Sequence, residues 1–134
     1  EATMCTIGKV LEAIDGKRVI AWRMWRITKS GTLTSYYKQH SRWNSSARKL
    51  KYSPKINNLR GFWAYQKREK CWKRMNSSYQ PNSGYLQIQL VMGQVELTGK
   101  IIKHTRGYRA QQCRIIGLVN APTMAKKYNV KNLK

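Results

Sequence analysis

His104, Arg106, Tyr108 and Arg109 fall within six residues, around Gly107. An imidazole beside two guanidiniums and a phenol could bind a phosphate, with His104 as general acid or base. The same residues could equally form a tight turn, braced by an arginine paired with Glu96 or Glu69, in which Gly107 supplies a backbone conformation that other residues resist. Nothing sharper accompanies them. Metal-dependent hydrolysis commonly needs two or three convergent carboxylates, and the chain has five Asp and Glu in all. Phosphate-binding loop, dinucleotide, zinc-protease and serine-elbow signatures are absent from the sequence, so no cofactor and no metal are expected.

A second constellation is larger. Tyr36, Tyr37, His40, Arg42, Trp43, Arg48, Lys49, Lys51, Tyr52, Lys55 and Arg60 interleave rings with cations. Cations grip phosphates, and bases stack on flat aromatic faces. Residues 17–60 hold twelve Lys or Arg and no acid. Lys67, Lys70 and Arg74 extend the charge along one side of an expected helix, and Lys126 and Lys127 carry it into the chain end.

The whole chain has 27 Lys and Arg, for a formal net charge of +22. An excess of this size is ordinarily neutralised by a polyanion, and the commonest are RNA and DNA. The aromatic complement, five Trp and eight Tyr beside one Phe, fits both a core and a stacking surface. No apolar run approaches the ~18–20 residues of a membrane span, so no membrane partner is expected. Cys5, Cys71 and Cys113 lie far apart and away from His40 and His104. That spacing predicts free thiols in a reducing compartment, hence a cytoplasmic or virion-associated protein.

The elements that must position these residues read as a mostly antiparallel sheet with one main helix and a long basic loop, an α+β domain. Val19–Ile27 is rich in β-branched and aromatic residues, apolar on both faces, and reads as a central strand. Arg23 and Arg26 inside it each need a partner or a route to solvent. A short return strand is expected at 32–36, a buried strand at 61–65 and a helix over 66–76. Segments 85–92 and 94–104 alternate as two strands separated by Gly93, and 108–119 returns antiparallel to them. Clusters of Ser, Asn, Gly and Pro mark 28–60 as an irregular basic aromatic loop region. The expected organisation is an N-terminal segment at 1–16, one domain at 17–120 and a basic tail at 121–134 with a helical turn.

The order Gly61-Phe-Trp-Ala-Tyr65, Gly93-Gln-Val-Glu-Leu-Thr-Gly99, His104-Thr-Arg-Gly-Tyr-Arg-Ala110 resembles a family of small, uncharacterised bacterial and phage domains. Their pattern is Gly-aromatic-Ala-aromatic, Gly-x-Val-x-Leu-x-Gly and His-x-x-Gly-Tyr-Arg-Ala. The resemblance spans about residues 20–120 and implies a fold and a lineage, with no activity attached. Lys103, Thr105 and Gln111 stand where members of that family carry acids.

The function expected from the residues is non-catalytic binding of nucleic acid, RNA slightly ahead of DNA, as a subunit of a ribonucleoprotein or phage complex. Two other classes compete. One is a protein that docks on an acidic protein surface, as an inhibitor or virion component. The other is a small metal-independent nuclease built on His104, Arg106, Tyr108 and Arg109.

Overall fold

The computed structural model describes residues 7–36, 41–78 and 89–134. Among the described residues the chain forms a mostly antiparallel sheet and two bounded helices. In chain order these are β1 (Val10–Ala13), β2 (Val19–Ile27), β3 (Leu33–Ser35), β4 (Arg42–Trp43), β5 (Ala47–Lys49) and β6 (Phe62–Tyr65). Then follow α1 (Arg68–Ser78), β7 (Gln89–His104), β8 (Gly107–Val119), α2 (Pro122–Tyr128) and β9 (Lys131–Leu133).

β2 has the expected bounds and the expected central place. It runs antiparallel to β7 from Val19 opposite Leu97 to Ile27 opposite Gln89, and its other edge takes β3. Alternation sends Ala21, Arg23 and Trp25 to one face and Trp22 and Met24 to the other. β7 continues through Gly93 as one 16-residue strand. It stays continuous because both of its edges are paired: β2 and then β1 on one side, β8 on the other. The β7–β8 register slips at Gln94/Val95 and at Thr98/Ile101, and bulges of this kind bend and twist a ladder.

The pairings close on themselves. β2 pairs with β7, β7 with β8, β8 with β6, and β6 meets β2 again where Trp22 faces Tyr65. All four strands feed one principal core, which includes Ala21, Trp25, Phe62, Val95, Ile101 and Ile115. On the opposite face of β2 a smaller cluster joins Met24, Tyr65 and Met92 to Cys71 of α1 and to Ile7.

Three expectations change. Besides the expected return strand, which is β3, the region 28–60 contains β4 and β5, so the irregular basic stretch shrinks to the connection between β5 and β6. The expected helical turn of the final segment is a seven-residue helix, α2. The chain end is packed: Met124, Ala125 and Tyr128 of α2 are buried, and β9 adds to β8 in parallel, Gly117 opposite Lys131. Apolar anchors in an otherwise basic segment explain this docking. The expected strand over 85–92 falls partly outside the described residues, as do Tyr37 and His40.

Candidate nucleic-acid interface

Arg109 organises the site from beneath. It sits on β8 with 0 % exposure. Its Nε donates to His104 Nε2 at 2.9 Å. Nη1 donates to the Arg60 carbonyl at 2.8 Å and to Asn58 Oδ1 at 3.4 Å, and Nη2 donates to the Lys55 carbonyl at 3.0 Å. The guanidinium fork thus spans the 55–60 segment, a geometry that suits arginine and not lysine. Asn58 Oδ1 also accepts from the amides of Lys55 at 3.0 Å and Arg60 at 3.1 Å. Upstream, Leu50 donates to the Gln111 carbonyl at 2.9 Å, tying the start of the segment to β8.

Two glycines allow this closeness. Gly61 has φ +131°, and a Cβ there would lie 2.8 Å from Arg109 Cβ. A Cβ on Gly107 would lie 2.3 Å from the Ala64 carbonyl oxygen. Gly107 is therefore required by the approach of β6 and not by a left-handed backbone, which it does not adopt.

With the Lys55 and Arg60 carbonyls held inward, the segment turns most of its side chains out. Lys51, Tyr52, Lys55, Ile56, Leu59 and Arg60 are exposed. Tyr52 is 58 % exposed, with the Arg60 guanidinium 4.8 Å and the Lys51 ammonium 5.5 Å from its ring centre. An aromatic plate flanked by cations on a braced backbone can take a base on the ring and phosphates on the cations. Arg18, Lys100 and Arg114 form ion pairs, and none of them lies in this segment.

Within the His104 cluster, His104 and Arg109 are internal. His104 is 0 % exposed, and its Nδ1 lies 2.9 Å from the Gly8 carbonyl. Arginine can only donate, so Nε2 accepts and the ring proton is on Nδ1. Burial lowers the imidazole pKa, with Arg109 adding to the shift and the Gly8 hydrogen bond opposing it. Both ring nitrogens are engaged and enclosed, an arrangement that serves as a brace. Arg109 pairs with His104, Asn58 and backbone carbonyls, not with Glu96 or Glu69. Glu96 instead accepts from Arg18 and from Arg114. Burial alone would raise its pKa, but those two partners hold it below the usual carboxylate range. Tyr108 is half-buried beside the core, and Arg106 is exposed at the hairpin tip.

Trp43 corrects the sequence reading. It is 0 % exposed, packed edge-on against Trp25 and Phe62 with ring centres 5.5 Å apart in each case. Tyr128 Oη donates to its carbonyl at 2.6 Å. A ring enclosed on these sides is core and offers no face to a base.

No protein-family model, curated protein or solved structure matches the chain.

The remaining sequence-selected residues divide by element. Arg42 and Lys49 are exposed on β4 and β5, Arg48 and Tyr36 are half-buried, Lys67 is exposed just ahead of α1, and Lys70 is exposed on α1, where Arg74 is half-buried. Lys126 and Lys127 occupy the last turn of α2, where cations complement the helix dipole, and Lys127 donates to the Gly31 carbonyl at 2.6 Å. Tyr52, Lys51, Lys55 and Arg60 are thus the group brought together. Sequence reasoning passed over Trp72, 50 % exposed among the lysines of α1, and the exposed Ile56 and Leu59. It also flagged Arg23 only as a charge needing a partner, although its i±2 spacing from Ala21 and Trp25 places it on the core face.

Proposed function

We propose that the chain is a non-catalytic nucleic-acid-binding protein that receives single-stranded RNA, ahead of DNA, on the segment 51–60. The observation that carries this reading is Tyr52, an exposed ring with Lys51 and Arg60 beside it, next to the 55–60 stretch that buried Arg109 holds in place. Preorganisation matters because a braced loop loses less conformational freedom on binding. The net charge of +22 supplies attraction without sequence preference. A loop tyrosine favours single strands, whose bases can be splayed out, over duplexes read by a helix in the major groove. α1 and α2 are separated by the β7–β8 hairpin and form no helix-turn-helix. The enclosure of His104 weighs for its role as a brace rather than as a general base. Assembly into a ribonucleoprotein or phage complex is the setting this reading implies.

The test is binding of fluorescent single-stranded RNA, with the RNA checked for integrity afterwards. Loss of affinity in Tyr52→Ala with unchanged melting temperature supports the reading. Unchanged affinity removes the segment from the interface, and shortened RNA would establish a nuclease.

A further inference from the structure

Arg23 is a buried charge without a carboxylate partner among the described residues. Its guanidinium sits 5.7–5.8 Å from the ring centres of Trp25, Trp43 and Phe62. Nη1 donates to the Trp63 carbonyl at 2.7 Å, Nη2 donates to Ser35 Oγ at 3.0 Å, and Nε has no hydrogen-bond partner. A second guanidinium shares the same rings. Arg48 lies 5.7 Å from Trp43 and 5.3 Å from Phe62, and its Nη1 donates to Ser41 Oγ. The two serines are neighbours, since the Ser35 amide donates to the Ser41 carbonyl at 3.1 Å across the β3–β4 pair.

Cation–π contact offsets only part of the cost of burying a charge, and two like charges over one ring pair add repulsion. What the four groups share is donors. Each serine oxygen already accepts from an arginine, so each hydroxyl proton remains to be given. The unpartnered Arg23 Nε, the neighbouring Arg48 guanidinium and the two serine hydroxyls are donors of the kind that match the oxygens of a phosphate.

We propose that Arg23, Arg48, Ser35 and Ser41 form a phosphate-binding subsite, occupied by a backbone phosphate of the bound nucleic acid. The assignment of that source rests on the function proposed above; the chemistry of the subsite does not. Half-buried Arg48 gives the ligand its approach from solvent, and Arg23 forms the floor.

The test uses inorganic phosphate first. At about tenfold excess over its dissociation constant, phosphate should raise the wild-type melting temperature by roughly 5 °C over chloride at matched ionic strength. Arg48→Gln should abolish that rise. Arg23→Met, which swaps the buried charge for an apolar chain, should also abolish it. No rise in wild type, or an equal rise in Arg48→Gln, overturns the subsite. Single-stranded RNA then identifies the source: about tenfold weaker binding by Arg48→Gln supports the backbone phosphate. A phosphate-dependent rise with unchanged RNA affinity overturns that source. If RNA binding depends on Tyr52 while phosphate has no effect, the interface stands and the subsite falls.

Discussion

Arg109 Nε donates to His104 Nε2 at 2.9 Å, with both side chains at 0 % exposure. The bond makes the folded state dependent on a neutral imidazole. Protonating His104 would remove the acceptor and set two cations together in the interior. Its pKa is lowered in the fold, so the unfolded chain takes up the proton first. Stability is therefore complete above the unfolded histidine value of about 6.5 and is lost as pH falls through the folded value. Glu96, also lowered, adds a second loss beginning nearer the ordinary carboxylate range. Urea midpoints measured from pH 8 to 4 should decline in that order, and His104→Gln should flatten the first decline. A wild-type midpoint independent of pH between 7 and 5 would contradict the pairing.

Arg109→Lys should be more damaging than its charge conservation implies. An ammonium cannot reach His104 and the Lys55 and Arg60 carbonyls together, and buried acceptors left unpaired cost about 1–3 kcal/mol each. The expected loss is about 2–4 kcal/mol, read from denaturant unfolding. Hydrogen exchange should locate it, with faster exchange at the Asn58 and Arg60 amides than at the centre of β7.

Two aromatic residues that look alike in the sequence should behave oppositely. Trp43→Ala should cost about 3–5 kcal/mol of stability, as a large core truncation. Tyr52→Ala should leave stability within ~0.5 kcal/mol.

Their sequence contexts do not separate them, because both lie among Lys, Arg and Ser. What buries Trp43 is non-local: Leu33 across the β3–β4 pair, Phe62 from β6 and Tyr128 from the chain end. β2 and the helix were legible because their patterns persist for nine and eleven residues. β4 and β5 have two and three residues, too few for any period, and exist through their pairing. Arg109 misled for a related reason. A sequence advertises carboxylates as partners for arginine, whereas backbone carbonyls, which took that role here, leave no mark in it.

Cys71 and Cys113 are free and buried, and burial pushes each thiol pKa up to about 12, against the pull of Arg23. Neither should react with iodoacetamide at pH 8 in the folded protein, because the thiolate is the reactive form. Both should react fully in denaturant. Mass spectrometry of alkylated peptides distinguishes them from Cys5, which lies outside the described residues.

The most direct measurement is a salt titration of wild type and Tyr52→Ala against single-stranded RNA, single-stranded DNA and duplex DNA. Each cation engaged with a single strand should contribute about −0.7 to the log–log slope. Tyr52→Ala should keep the slope and lose about 1–3 kcal/mol of affinity for single strands, the worth of one stacked base. Equal affinity for all three ligands, vanishing near physiological salt and indifferent to Tyr52, would contradict the account and leave charge alone as the basis of binding.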